Sequence, residues 1–119
     1  MATRVRLAKA ADFVRAFGRE PPAKVWFGMV AETDGEPVGF GTVVWDEYGR
    51  AWGAFDRIGP VSAFTMHKTA QTVMGWLART GQSALYVQCS ETIPGAQFWL
   101  ERLGFHHEAD GIWVKCLTT

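Results

Sequence analysis

The sequence lacks several features that would by themselves assign a protein to a structural or functional class. It has two cysteines, Cys89 and Cys116, which are too few for a disulfide framework and are expected to stay reduced. Twelve acidic residues balance twelve lysines and arginines, so we expect neither nucleic acid nor an anionic membrane as a partner. No apolar run approaches the ~20 residues of a membrane-spanning helix. The first residues lack the apolar core of a signal peptide, which together with the cysteines predicts a cytoplasmic location.

What the sequence has in excess is tryptophan and glycine. Six tryptophans and thirteen glycines occur in 119 residues, of which 48% are hydrophobic and 20% charged, as is typical of a soluble globular chain. Because this length supports one hydrophobic core, we expect a single domain over residues 1–119. The tryptophans fall in six different predicted elements, and most are expected to pack in the core: Trp26, Trp45, Trp52, Trp76, Trp99 and Trp113.

Hydrophobic periodicity predicts one strand, one short helix and then a three-stranded meander in the first half of the chain. The strand is Thr3–Leu7, and the helix is Ala10–Phe17, ended by Gly18. The meander covers 25–32, 37–45 and 50–57, with turn sequences between its strands. Alternation places four side chains of its second strand on one face: Val38, Phe40, Thr42 and Val44.

The second half of the chain begins with a long helical pattern after Ser62, the predicted N-cap, and that pattern ends at Thr80-Gly81. A short strand over 84–90, a helix over 94–103 and a final hairpin over 105–117 follow. Because strand–helix–strand connections are right-handed, the strand over 84–90 is expected to lie parallel to the strand over 50–57. The order β-α-β-β-β-α-β-α-β-β predicts an α/β or α+β fold.

This order, with its last helix ending in the string Phe98-Trp99-Leu100-Glu101-Arg102-Leu103-Gly104-Phe105, resembles the GNAT N-acetyltransferase superfamily. The stretch from Trp52 to Phe105 is most similar to small, divergent GNAT-like proteins of phages and prophages. The resemblance implies a GNAT-like α/β (α+β) fold. Its mixed, mostly antiparallel sheet has parallel, splayed fourth and fifth strands and is flanked by helices. It also implies acetyl-CoA in the V between those strands, with the pyrophosphate at the start of the following helix.

The implied cofactor-binding residues lie at the ends of the fourth and fifth strands and in the loop that follows the fourth: Phe55, Arg57, Ile58, Gly59, Val61, Ser62, Ala63, Cys89 and Ser90. In the family this loop reads Gln/Arg-x-x-Gly-x-Gly/Ala, whose glycines let the backbone approach the phosphates. Here it keeps one glycine, and Pro60 has no N–H to donate. The Ser62 hydroxyl and a cation from Arg57 or Lys68 are the substitutes that this sequence offers.

Asp56 is the candidate general base, because a carboxylate at the end of the fourth strand can take a proton from an amine through water. The alternative is an exposed charge at the end of the strand or an ion pair with Arg50 or Arg57. The family's common general acid is a tyrosine four residues before the helix-ending glycine, and Leu100 stands at that position here. Proton delivery to the leaving thiolate would then come from water or another group. Cys89 is expected to be a buried, inert thiol rather than a nucleophile, since no paired base is marked.

The histidine-rich hairpin is not expected to bind a metal. His106 and His107 are adjacent in a predicted strand, so they point to opposite faces, and neither they nor Glu108 and Asp110 have zinc-site spacing. The short segment over residues 18–24 predicts an open cleft, which suits a macromolecular amine or no substrate at all.

Two functions stay open at this point. The first is an acetyl-CoA-dependent N-acetyltransferase, in which a small-molecule or protein amine attacks the thioester directly. The second is a catalytically degenerate GNAT-like module, for example a phage structural or accessory protein that uses the scaffold for protein contacts. That alternative carries the expectation of a homodimer or a phage assembly partner, and of a virion location if the chain is phage-encoded.

Overall fold

A computed structural model describes residues 3–21, 25–89 and 95–117 of the chain. Its strands form one seven-stranded sheet in the order β1-β2-β3-β4-β5-β7-β6. They are β1 (Thr3–Leu7), β2 (Trp26–Thr33), β3 (Glu36–Trp45), β4 (Ala51–Arg57), β5 (Ala84–Gln88), β6 (His106–Ala109) and β7 (Ile112–Cys116). The helices are α1 (Ala10–Phe17), α2 (Ala63–Arg79) and α3 (Ala96–Arg102). The predicted fold class and element order are confirmed, while Pro94, the predicted start of α3, lies outside the described residues.

The central feature of the sheet is the pairing of β4 with β5, the one parallel pair among its described strands. The two strands pair over a short stretch, from Ala51 with Leu85 to Gly53 with Val87. Beyond Gly53, β4 continues to Arg57 along β3, and no described strand pairs with its other edge there. The strands therefore separate into a V, as the resemblance implies.

Helices α2 and α3 cover one face of the sheet and form the main core. The fully buried side chains of this core include Val43, Val73, Leu77 and Leu85. On the same face the Trp76 indole stacks on the Phe27 ring, with 3.8 Å between the ring centroids. The 17-residue length of α2 gives it about 25 Å of reach, enough to cross several strands.

Helix α1 covers a smaller part of the opposite face. Its Phe13 packs against Val30 and Phe40 in a separate buried cluster. Because α1 has eight residues, it shields the part of the face formed by β2 and β3. The side chains that β4 presents on this face, Trp52 and Ala54 among them, keep contact with solvent.

Val38 departs from the predicted alternation of β3. The register between β2 and β3 shifts between Ala31 and Glu32, so Val38 is an extra residue on β3. The bulge turns Val38 to the α2 side of the sheet, where it clusters with Ala31, Val61 and Met66. The expectation that Val38 shares a face with Phe40 is therefore wrong, because a period of two holds only in an unbulged strand.

The tryptophans are distributed over six elements as predicted, but they are less buried than expected. Only Trp113 is fully buried, with 4% exposure, whereas the other five are partly exposed. Two of these find partners for their indole N–H: Trp45 donates to Gln82 at 3.1 Å and Trp52 to Asp46 at 3.0 Å. Most of the tryptophans thus line the border of the core.

A cluster of charges joins β1, α1 and β2. The Arg6 guanidinium donates to both carboxylate oxygens of the buried Asp12, at 2.7 and 2.9 Å, and to Glu32 at 3.0 Å. Asp12 also accepts the Lys9 backbone N–H at 2.8 Å, which caps the start of α1. The hydrogen bonds from Arg6 lower the pKa of Asp12 to about 2. In the described part of the chain, no helix is long and apolar enough to cross a membrane.

The charge cluster predicts a specific acid sensitivity. The pKa of Asp12 is lowered in the folded state from 3.8 to about 2, so its contribution is complete at neutral pH and is lost as pH falls from about 4 to about 2. Asp12→Asn should lower the free energy of unfolding at pH 7 by about 1–2 kcal/mol and flatten its decline below pH 4. Urea unfolding at several pH values measures both effects. Asp34→Asn, in an exposed turn, is the matched control, and an unchanged acid slope in Asp12→Asn would contradict the assignment.

Candidate functional site

A cleft of about 980 Å³ occupies the V between β4 and β5. It opens to both faces of the sheet. On one face, here called the α1 side, its walls include Phe13, Phe17, Thr42, Val44 and Trp52. On the other face, the α2 side, they include Ala63, Met66, Trp99 and Leu100. A molecule on one side can therefore meet a molecule on the other through the gap between the strands.

The α2 side is an apolar channel with a polar backbone edge. Phe55 and Trp99 pack edge to face, with ring centroids 5.6 Å apart, and both line the cleft. Beside them runs the edge of β4 past Gly53, which no other described strand pairs. Unpaired backbone amides and carbonyls at a strand edge are available to an extended ligand that carries amide groups of its own.

The turn between β4 and α2 is held firmly against β3. The backbone N–H groups of Ile58 and Gly59 both donate to the Val38 carbonyl, at 2.9 and 3.0 Å, and the Arg57 guanidinium donates to the Val61 carbonyl. These two amides are thus engaged within the protein, and phosphate contacts from Ile58 and Gly59 would need their bonds to Val38 to break. Arg57 is exposed and uses one of its five N–H groups on Val61, so a phosphate contact from its other N–H groups needs no bond to break.

The first turn of α2 keeps free donors. Ser62 caps the helix, since its hydroxyl oxygen accepts the Thr65 N–H at 3.1 Å. The N–H groups of Ala63 and Phe64 have no hydrogen-bond partner among residues 3–21, 25–89 and 95–117. The first turn holds no acidic residue. Free amides and the positive end of the helix dipole favour an anion there.

The structure brings most of the predicted site residues to this cleft or to its rim. Those that line the cleft are Phe55, Asp56, Arg57, Ala63 and Cys89. Those in the turn at its rim are Ile58, Gly59, Val61 and Ser62. Ser90 lies outside the described residues. Cys89 is buried, with 7% exposure, and its backbone N–H donates to the Gly111 carbonyl at 2.8 Å.

Asp56 is half-buried in the cleft wall. It pairs in register with Phe40 on β3, which places its side chain on the α1 side. Burial raises the pKa of Asp56, and the nearby positive charge of Arg19 opposes this shift. The ion pair suggested as an alternative does not form, because Arg50 pairs with Asp46 at 2.7 Å and Arg57 bonds Val61. A carboxylate with a raised pKa in a cleft has the properties of a proton acceptor.

Arg19 was missed by the sequence reasoning. It lines the cleft, and its guanidinium lies over the rings of Phe13 and Phe17, 5.5 and 5.7 Å from their centroids. It makes no ion pair with any residue that the structure describes. The available signal was its position directly after Gly18, which ends α1 with a φ of 71° and turns the chain back over the helix.

Thr42 was also missed. It is buried, with 5% exposure, and lines the cleft. Its hydroxyl has no hydrogen-bond partner in the described part of the chain. A buried hydroxyl without a partner costs stability unless a ligand satisfies it. The signal in the sequence was a threonine between apolar neighbours in a strand, which has many structural explanations.

The remaining polar candidates lie elsewhere. Leu100, at the position of the implied tyrosine acid, is buried and lines the cleft. None of the residues described as lining the cleft is a tyrosine. His106 and His107 are exposed on β6, and the His107 ring packs edge to face on Trp113 at 5.4 Å. Within the described ranges, no three metal-ligating side chains cluster.

Neither a protein-family model nor a curated protein sequence matches this chain. Solved structures do match it. The ribosomal-protein-S18-alanine N-acetyltransferase of Escherichia coli superposes with a TM-score of 0.76 at 12% identity, covering 99% of this chain and 96% of that one. An N-acetyltransferase from Staphylococcus aureus Mu50 gives 0.78 at 7% identity, covering 98% and 99%.

A third match is an acetyltransferase of the GNAT family from Streptococcus pneumoniae, with a TM-score of 0.76 at 11% identity, covering 97% of this chain and 99% of that one. At such low identities the likeness establishes the fold, and the chain therefore has the GNAT fold over the length compared. The narrower resemblance to phage proteins stays a prediction.

The partnerless hydroxyl of Thr42 gives a stability prediction. Thr42→Val keeps the shape of the side chain and removes the unsatisfied group, so it should raise the free energy of unfolding by about 1 kcal/mol. Urea unfolding of the unliganded protein measures the change. Thr69→Val is the matched control, because Thr69 is equally buried but donates its hydroxyl to the Thr65 carbonyl at 2.8 Å. The control should gain nothing, and a loss of stability in Thr42→Val would show that its hydroxyl has a partner.

Proposed function

We propose that this GNAT-fold protein is an acyl-CoA-dependent N-acyltransferase that uses acetyl-CoA and transfers the acyl group to an amine. The observation that carries the proposal is the cleft between β4 and β5, which opens to both faces of the sheet. It has a carboxylate on the α1 side and an anion-accepting helix start beside the α2 side. Two substrates that enter from opposite faces can meet at such a gap.

The residues present fit an acyl-CoA. The unpaired edge of β4 past Gly53 matches a pantetheine arm, which carries amides, and Phe55 and Trp99 form an apolar wall beside it. The free N–H groups of Ala63 and Phe64 suit a pyrophosphate. Because Arg57, Ile58 and Gly59 hold the turn in place, we assign the phosphate contacts to the helix start and a supporting role to those three residues.

An acyl-CoA supplies a thioester whose carbonyl carbon an amine attacks, so that an amide forms and the CoA thiolate leaves. Asp56 takes the proton that the attacking nitrogen loses, directly or through water, and its raised pKa suits that task. The apolar walls limit the access of water to the thioester. Leu100 donates no proton, so the thiolate leaves as such or is protonated by solvent, which a thiol pKa of about 8.5 permits.

The phosphate assignment is tested by Phe64→Glu. Phe64 is 77% exposed, so the substitution removes little packing, and a carboxylate in the first turn of a helix favours the fold. The same charge opposes a bound pyrophosphate, and the affinity for acetyl-CoA should fall about tenfold or more at low salt. Isothermal titration calorimetry with acetyl-CoA and free CoA measures the change. Phe64→Gln, matched in size and uncharged, should bind as the unmodified protein does.

The calorimetry also separates the two functions. Binding that is equal in Phe64→Glu and Phe64→Gln would place the phosphates elsewhere. No binding of acetyl-CoA or CoA to the unmodified protein would refute the acyltransferase and leave the non-catalytic module. Acyl transfer by the unmodified protein would refute the alternative of a non-catalytic module.

The role of Asp56 is tested by the pH dependence of acyl transfer. Because a base works only when deprotonated, kcat/KM should rise with pH through the raised pKa of Asp56 and then level off. Asp56→Asn should lower kcat about 100-fold and remove that rise, while acetyl-CoA binding stays unchanged. The charged group that acts on this carboxylate is Arg19. A pH profile that is the same in Asp56→Asn would exclude Asp56 as the base.

A further inference from the structure

The α1 side of the cleft contains two opposite charges that no described protein group neutralises. Asp56 presents a half-buried carboxylate and Arg19 a guanidinium, and both line the same cavity. They do not form a salt bridge with each other or with any other described residue. The half-buried Asp56 carboxylate loses part of its hydration, whereas the Arg19 guanidinium is exposed. A ligand that pairs with both groups at once would offset the cost at Asp56.

The Arg19 guanidinium is held in place without an acidic partner. It lies over the rings of Phe13 and Phe17, which leaves the N–H groups in its plane free to bind a carboxylate in a bidentate manner. Those two rings belong to the buried α1 cluster and its border, so the aromatic surface under the exposed guanidinium is packed against the core. A cation placed over such a surface at the cleft is suited to bind an anion.

The α1-side walls of the cleft are mostly apolar, and Thr42 and Gln88 are the polar, uncharged side chains among the described residues that line it there. Phe17, Val44 and Trp52 surround the cavity on this side, and Thr42 contributes the hydroxyl that lacks a partner. A ligand here needs a cationic end, an anionic end and an apolar body. A simple aliphatic polyamine would meet Arg19 with a like charge.

We infer that the acceptor bound on the α1 side is a free α-amino acid with an apolar or aromatic side chain. Its carboxylate pairs with Arg19, its amino group lies at Asp56 and its side chain packs against Trp52 and Val44. The Thr42 hydroxyl turns to donate to the bound carboxylate. The inference rests on the proposed function for the chemistry, while the binding site is argued from these residues alone. The role of Arg19 is one of recognition, and Asp56 keeps the role of base.

The test compares three probes that differ at the carboxylate: L-phenylalanine, L-phenylalaninamide and 2-phenylethylamine. Calorimetry with the protein, in the presence and absence of CoA, measures their binding directly. CoA release from acetyl-CoA measures their kcat and KM. L-Phenylalanine should bind best, and its KM should be about tenfold or more below that of the amide, as expected for one charge-assisted contact. L-Leucine and its amide repeat the comparison with an aliphatic side chain.

Substitutions test which residues bind the amino acid. Arg19→Gln should raise the KM for L-phenylalanine about tenfold or more. It should not raise the KM for 2-phenylethylamine, which has no carboxylate for Arg19 to bind. Arg19→Lys should restore part of the affinity, since it keeps the charge and loses the bidentate geometry. Thr42→Val should weaken L-phenylalanine binding even though it stabilises the unliganded protein. Arg79→Gln, which removes an exposed arginine outside the cleft lining, should match the unmodified protein.

The possible results test the amino-acid site and the proposed acyl transfer separately. Equal or better binding of the amide or of 2-phenylethylamine, or a preference that survives Arg19→Gln, would overturn the amino-acid site, whatever the acyl-CoA result. L-Phenylalanine binding that depends on Arg19, in a protein that does not bind acetyl-CoA, would support the site and refute the acyltransferase. Absence of L-phenylalanine and L-leucine binding with or without CoA would overturn the inference and leave the proposed transfer to another amine.

Discussion

The early end of the pairing between β4 and β5 is the constraint on which the rest of the site depends. Two parallel strands that stop pairing at Gly53 and Val87 leave a gap that neither helix layer fills. The gap connects the two faces of the sheet and lets the side chains of β4 reach the cavity. It also leaves a backbone edge of β4 that no described strand pairs. A sheet that stayed paired along its length would have buried the same residues in an ordinary core.

The two faces of the sheet around this gap differ in how much of each face the helices cover, and the proposed function uses this difference. On the α2 side, the long helix α2 and helix α3 form an apolar layer beside the cleft, with the Phe27–Trp76 stack within it. On the α1 side, a helix of eight residues covers only part of the sheet. The charge cluster of Arg6, Asp12 and Glu32 holds that short helix to β1 and β2. The interactions that stabilise this part of the fold thus lie away from the gap. At the gap itself, the described structure contains two charges without salt bridges and a hydroxyl without a hydrogen-bond partner.

The fold was predictable from the sequence because its determinants are local and periodic. Alternation, helical spacing, the Ser62 cap and the glycine after α1 fixed the elements, and the crossover rule fixed the parallel pair. The face of Val38 was not predictable, since a bulge depends on pairing between strands. Asp56 was found because it ends a strand at the gap. Arg19 and Thr42 were not predicted as site residues. What distinguishes them is that the described structure gives the Arg19 charge no ion pair and the Thr42 hydroxyl no hydrogen-bond partner. This is visible only when the surroundings of a side chain are known.

Strand β3 also sets the distances between the parts of the site. Its Val38 carbonyl holds the turn before α2, through the amides of Ile58 and Gly59. Two residues further along, Phe40 lies in register with Asp56, and two residues beyond that Thr42 faces the cavity. One continuous strand therefore fixes the spacing between the turn before α2 and the cleft wall at Asp56, the two ends of the proposed site. An insertion or deletion in β3 would change the length of ligand that spans the site, even with every contact residue in place.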